Sequence, residues 1–250
     1  MDGWDGPVYK LSSNENPYPP LPSVINAITN AASTMHRYPN MAAPELTKAL
    51  AERLGVSESE LAFGTGSVEV AGQLIRAFAG HGDEVIYAWR SFEAYPILVR
   101  GAGATPVEVA LTADHRHDLP AMLAAITPAT KVIFICTPNN PTGTAVGHEE
   151  LREFLVKVPK DILVVIDEAY VDFGGESAIP LVGRYDNLLV VHTLSKSSSL
   201  AGLRVGFAVG QDDTHFYVLG GDKSDFRYHR ADRQASSARC TPACNLSTPA

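Results

Sequence analysis

Cysteine, basic charge and long apolar runs are what this chain has least of. Only three of its 250 residues are cysteine, and one of them, Cys136, falls inside an apolar stretch. That usage excludes the disulfide framework of a small secreted domain and fits a reducing compartment. The 20 lysines and arginines are outnumbered by 28 aspartates and glutamates, for a net charge of -8. The chain therefore lacks the basic excess of nucleic-acid binders. No apolar stretch reaches the roughly 20 residues of a membrane-spanning helix. The opening residues MDGWDGPVYK lack the basic and apolar regions of a signal peptide. A cytoplasmic protein with no membrane or nucleic-acid partner is expected. With 45% hydrophobic and 19% charged residues the composition is ordinary for a globular protein. Its length suits one large domain, or one and a half.

What is there begins with three short aliphatic runs. Residues 131–136 (KVIFIC), 162–166 (ILVVI) and 187–193 (NLLVVHT) have the continuous character of parallel strands buried on both faces. The first ends in Thr137-Pro138-Asn139-Asn140-Pro141-Thr142-Gly143, a cluster of turn formers. The second ends in Asp167-Glu168-Ala169-Tyr170, and the third in Ser195-Lys196, with Arg204 eight residues further on. Ligands of open α/β sheets bind outside the carboxyl ends of the strands, so Asn140, Asp167 and Lys196 are expected at one sheet edge. Each has a plainer reading alone: a turn former, a helix cap, a solvated lysine. Together they bring an amide, a carboxylate and an amine, which suit a cofactor with a ring oxygen, a ring nitrogen and an aldehyde. Pyridoxal 5'-phosphate has those groups, and proteins hold it covalently through a lysine, with an acidic partner on the ring nitrogen.

The remaining pattern is an alternation. Residues 61–63, 84–88, 105–111 and 207–209 read as strands, and residues 23–33, 44–54, 68–78, 117–126 and 148–158 as helices. This predicts an α/β fold with a doubly wound, mainly parallel sheet. Gly64-Thr65-Gly66-Ser67 opens the helix at 68–78, where small residues let backbone N–H groups approach a phosphate. The stretch lacks the third glycine of a dinucleotide fingerprint and the lysine of a P-loop, which disfavours a Rossmann oxidoreductase. Residues 11–22 (LSSNENPYPPLP) form an extended arm punctuated by proline. Three parts follow: an arm and first helix at 1–35, a cofactor-binding large domain at 36–211, and a tail at 212–250 that loses periodicity and is expected to be disordered. His229 with Cys240 and Cys244 in that tail is one isolated cluster, too weak to predict a metal site.

The segments 139–143, 167–170 and 195–204 resemble the fold type I, class-II pyridoxal-phosphate aminotransferases, in particular the histidinol-phosphate aminotransferase subfamily; the resemblance runs from about Lys10 to Gly210. Trp89-Arg90-Ser91-Phe92 and the arm at 11–17 are most similar to the branch of phenylalanine and aromatic amino-acid aminotransferases. The resemblance implies that Lys196 holds the cofactor covalently and moves the reacting proton, and that Asp167 keeps the ring nitrogen protonated. It gives Asn140 and Tyr170 to the ring oxygen, Phe92 to stacking on the ring, and Gly66, Ser67, Val68, Ser195 and Arg204 to the phosphate. Tyr38 is implied to reach the phosphate of a neighbouring subunit, which makes a homodimer, and Asn16 and Tyr18 to lie on the substrate side. The chain departs from the family at Val68, where an acidic residue is common, and at Ser197-Ser198-Ser199, where Ala, an aromatic and Gly are usual. It carries no counterpart of the C-terminal small domain with its carboxylate-binding arginine. The implied activity moves an amino group between a phenylalanine-like aromatic amino acid and a 2-oxo acid. Histidinol-phosphate transamination in histidine biosynthesis is the near alternative and a related decarboxylase a remote one. From a different class, the chain is read as a truncated, catalytically inactive remnant.

Overall fold

The structure is a computed structural model that describes residue 6 and residues 9–40 and 42–211. The tail, with His229, Cys240 and Cys244, lies outside the described residues.

Seven strands form one sheet: β1 (Leu61–Gly64), β2 (Glu84–Trp89), β3 (Thr105–Ala110), β4 (Thr130–Cys136), β5 (Leu163–Asp167), β6 (Leu188–Thr193) and β7 (Gly206–Val209). Their spatial order is β1-β7-β6-β5-β4-β2-β3. All neighbours pair in parallel except β7, which runs antiparallel to both β1 and β6. The three aliphatic runs are thus the three central neighbours β4, β5 and β6. Cys136 pairs with Asp167 across β4 and β5, and Asp167 with Val191 across β5 and β6, so the strands end in step.

After α1 (Pro22–Ala31), the helices α2 (Pro44–Leu54), α3 (Ser67–Phe78), α4 (Ala94–Gly101), α5 (Leu119–Ala124), α6 (His148–Lys157) and α7 (Ile179–Val182) cover both faces. Alternation along β5 decides which core each residue enters. Val164 and Ile166 pack with Leu50, Met122, Leu151 and Phe154 from α2, α5 and α6. Leu163 and Val165 pack with Leu74, Ile75, Tyr95 and Val99 from α3 and α4. Each fully buried aliphatic side chain contributes about 1.5–3 kcal/mol, which is why a strand apolar on both faces is held at the sheet centre.

Three elements differ from the sequence pattern, one of them the short α7, which no apolar periodicity marks. The helix expected at 117–126 is shortened to Leu119–Ala124, because the Asp118 side chain caps it by accepting from the Ala121 N–H at 2.9 Å. Helix α4 was not anticipated; its Pro96 sits in the first turn, where a missing N–H leaves no helical bond unmade. Outside the sheet, α1 buries none of its residues, although Val24, Ile25, Ala27 and Ile28 repeat at helical spacing.

Candidate active site

At the carboxyl edge of β4, β5 and β6 lies a cavity of about 640 Å³, lined among others by Ser67, Val68, Phe92, Asn140, Asp167, Tyr170, Ser195, Lys196 and Arg204. Side chains from six separate stretches of sequence meet there, five that follow strands of the sheet and the arm at 12–15. The parallel order of the central strands brings the five together, since each chain segment leaves the sheet at the same edge.

Asp167 is the buried end of β5, only 4% exposed. The Tyr95 hydroxyl donates to its Oδ2 at 2.7 Å and the Ala169 N–H to its Oδ1 at 3.1 Å. Burial raises the Asp167 carboxyl above its ordinary range, against the opposing effect of these two donors. The same burial, followed by the neighbouring Asp167 charge, raises the Tyr95 phenol well above its usual value and pushes the Cys136 thiol up to about 12. Cys136 is therefore a protonated wall of the cavity, and Tyr95 a fixed donor. A buried carboxylate met only by neutral donors is matched by a cationic N–H, which is what a protonated ring nitrogen offers.

At the other end, the first turn of α3 faces Arg204. The Arg204 guanidinium donates to Thr65 O at 3.1 Å, Ser195 Oγ at 3.3 Å and Ala201 O at 3.2 Å. Among the described residues no carboxylate pairs with it. Glycine suits this corner: Gly66 has a φ of +93°, which strains any L side chain, and a Cβ there would lie 2.2 Å from Arg204 Nη2, so the guanidinium would have to move. A Cβ on Gly206 would lie 2.3 Å from the Gly66 carbonyl carbon and the Ser67 nitrogen. A helix N-terminus, a hydroxyl and an unneutralised guanidinium at one place fit a phosphate dianion. Val68 lines the cavity with an apolar side chain, so it offers only its backbone N–H.

Between the two ends, Phe92 lines the wall and meets Tyr95 edge-on, with ring centroids 5.6 Å apart and planes at 86°. Lys196 Nζ donates to Ser13 O at 3.0 Å and Asn14 O at 3.2 Å, and sits 5.3 Å from the centre of the Tyr170 ring. The serines after it are tied down: the Ser197 hydroxyl donates to the Asp172 carboxylate, and the Ser199 N–H to Lys196 O at 3.1 Å. The donor set as a whole fits pyridoxal phosphate: an amine, a buried carboxylate, two ring-oxygen partners, an aromatic wall and an anion seat.

The structure brings together Lys196, Asp167, Asn140, Tyr170, Phe92, Ser67, Val68, Ser195 and Arg204 around one cavity, with Gly66 behind Arg204. Asn16 and Tyr18 are not in its wall. The Asn16 amide instead donates to Lys196 O at 3.1 Å and lines a smaller adjoining cavity of about 280 Å³, while Tyr18 is 76% exposed. Tyr38 is fully exposed, away from this chain's own cavity. Tyr95, Cys136 and Asn14 were missed. Tyr95 follows Phe92 at helical spacing, and Cys136 is the last residue of a predicted strand; both signals were legible. Nothing local marks Asn14, which meets Tyr170 across 156 positions of sequence.

Comparison with known proteins bears on this geometry. The family model for aminotransferase class I and II matches residues 7–244, extending past the point at which the sequence pattern breaks. The chain is 55% identical over 213 residues to the aromatic amino acid aminotransferase of Streptomyces coelicolor, covering 83% of this chain and 59% of that one. It is 54% identical over 204 residues to the aromatic amino acid aminotransferase of Cutibacterium acnes, covering 80% and 58%. The chain thus spans about 59% of the length of the curated relatives it matches. Among solved structures, histidinol-phosphate aminotransferase of Sinorhizobium meliloti in complex with pyridoxal-5'-phosphate superposes with a TM-score of 0.75 at 26% identity, over 90% of this chain and 67% of that one. Aspartate aminotransferase of Thermus thermophilus with maleate gives 0.76 at 25% identity, over 90% and 65%.

Proposed function

The chain belongs to the class I and II aminotransferase family, and from that premise we propose that it moves an amino group between a phenylalanine-like amino acid and a 2-oxo acid with pyridoxal phosphate. The observation that carries the proposal is the convergence of Lys196, Asp167 and Arg204 on one cavity, at the edge where β5 and β6 end and β7 begins. The aromatic substrate class is supported by the printed names of relatives at 54–55% identity. Histidinol phosphate is the second reading, supported by the structural likeness at 26% identity.

When bound, pyridoxal phosphate supplies an electron sink that stabilises negative charge at the substrate α-carbon. Lys196 would provide the amine that holds the cofactor and, in its neutral form, the base at that carbon. Asp167, buried against Tyr95, keeps a proton on the ring nitrogen. Asn140 and Tyr170 donate to the ring oxygen. Ser67, Val68, Ser195 and Arg204 would seat the phosphate, and Phe92 would stack on the ring.

Tyr38 is assigned to the phosphate of a second subunit in a homodimer. The support is an apolar surface that this chain leaves uncovered: α1 buries nothing, and Leu11, Leu21, Met35 and Tyr38 are 69–102% exposed.

The test is absorbance of the purified protein with added pyridoxal phosphate, before and after borohydride, for wild type and Lys196→Ala. A visible band fixed by borohydride in wild type alone is expected, followed by transfer from phenylalanine faster than from histidinol phosphate. Absence of a Lys196-dependent band in folded protein defeats the cofactor assignment and leaves the inactive-remnant reading. Sedimentation of the same samples as monomer removes Tyr38 from the site.

A further inference from the structure

Tyr170 and Asn140 serve a ring oxygen only as donors, and each has another way to point. A tyrosine hydroxyl rotates, and an asparagine amide presents either an acceptor oxygen or a donor NH2. One side chain addresses both. Asn14 Nδ2 donates to the Tyr170 hydroxyl oxygen at 3.0 Å and to Asn140 Oδ1 at 3.4 Å. A hydroxyl whose oxygen accepts sends its own proton elsewhere, and an amide whose oxygen accepts turns its NH2 outward.

The arm is held in place to do this. Asn14 has a φ of 47°, a left-handed conformation that asparagine tolerates better than most residues. In the cofactor-free chain its carbonyl and that of Ser13 accept from Lys196 Nζ. Once that nitrogen is linked to the cofactor, the anchors left to the segment are the Asn16 amide on the Lys196 and Ser197 carbonyls and the Lys10–Glu15 pair. Resting on the cofactor reading above, we propose that Asn14 is a positioning residue: its single amide sets the donor direction of Tyr170 and Asn140 toward the ring oxygen of bound pyridoxal phosphate.

The consequence is measurable at Lys196. Fewer donors at the ring oxygen leave more negative charge beside the cofactor-linked lysine nitrogen and raise its affinity for a proton. The experiment records the pH midpoint of the visible band for cofactor-loaded wild type, Asn14→Gly, Tyr170→Phe and the double variant. Asn14 is exposed, and glycine accepts its positive φ, so the substitution removes the amide without disturbing the core. Glu15, Glu93, Asp167 and Arg204, the other charged groups around the cavity, are the same in all four proteins and cancel in the comparison.

Asn14→Gly is expected to raise the midpoint by on the order of half a pH unit. Less than half of that rise is expected to survive in the Tyr170→Phe background, because the effect passes through the hydroxyl. A merely structural arm would leave the midpoint unmoved or shift it equally in both backgrounds, and either result overturns the proposal. A wild type with no Lys196-dependent band defeats the cofactor reading, and this inference with it.

Discussion

Asp167 and Glu168 are adjacent carboxylates, both nearly inaccessible, yet they serve opposite sides of the sheet. Asp167, 4% exposed, faces Tyr95 and Cys136 on the α3–α4 side and opens into the cavity. Glu168, 1% exposed, faces the other way. It accepts from Ser177 Oγ at 2.8 Å and from the Ala178 N–H, and lies 2.7 Å from His192 Nε2. His192 in turn stacks on Phe207, with planes 8° apart. Three groups surround Glu168 and complete its bonding, whereas Asp167 is surrounded by two neutral donors and left a direction in which to act. Burial alone does not make a carboxylate functional; an incomplete shell facing a cavity does.

Replacing each carboxylate by its amide breaks the comparison most sharply. Asp167→Asn is expected to cost cofactor affinity about 2–5 kcal/mol, the range for removing one member of a buried charged pair. The same variant is expected to change the stability profile of cofactor-free protein. Because burial raises the Asp167 carboxyl in the folded state, the folded chain binds that proton more readily than the unfolded one. Stability therefore falls as pH rises from the ordinary carboxylate range through the raised value, and the loss persists above it. Asp167→Asn removes that contribution. Cofactor titration and denaturant unfolding across pH measure both effects; an unchanged slope would contradict the assignment.

Glu168→Gln is expected to act on stability instead. Its new NH2 would face donors from Ser177, Ala178 and His192, leaving buried groups unpaired at a cost of about 1–3 kcal/mol. The expected result is a lower unfolding midpoint with near-normal cofactor affinity in the folded fraction. A variant that folds normally and loses cofactor would erase the distinction between the two faces.

Tyr95→Phe sharpens the contrast with the smallest change. It deletes one donor to Asp167 while keeping the ring that packs on Phe134 at 4.9 Å. A loss of about 0.5–1.5 kcal/mol is expected, divided between folding and cofactor binding. Since the Tyr95 hydroxyl lowers the Asp167 carboxyl, its removal should extend the fall in stability to higher pH and enlarge it. An Asp167→Asn, Tyr95→Phe double variant with fully additive losses would show that the two do not act together.

Read from residues, the central sheet was accessible because its signals are local. Apolar runs marked β4, β5 and β6 to within a residue or two, and turn formers or polar residues marked the edge where the site lies. Helix α4 escaped because Trp89 to Pro96 reads equally well as a loop, and only packing of Tyr95 and Val99 onto the sheet resolves it. The resemblance points to Asn16 and leaves Asn14 unmarked, because an arm without regular structure gives no periodicity from which to infer the direction of a side chain.

The sequence by itself determined the βα alternation, the identity of the three strand ends and the placing of Lys196, Asp167 and Asn140 at one edge. Those follow from burial and turn chemistry within a few residues. Only the tertiary structure decided that Asp167 and Glu168 part to opposite faces, that Tyr95 rather than water meets Asp167, and that Asn14 reaches Tyr170. Such choices join residues 72 and 156 positions apart, and they depend on strand order, pleat and helix packing, which no short stretch of chain encodes alone.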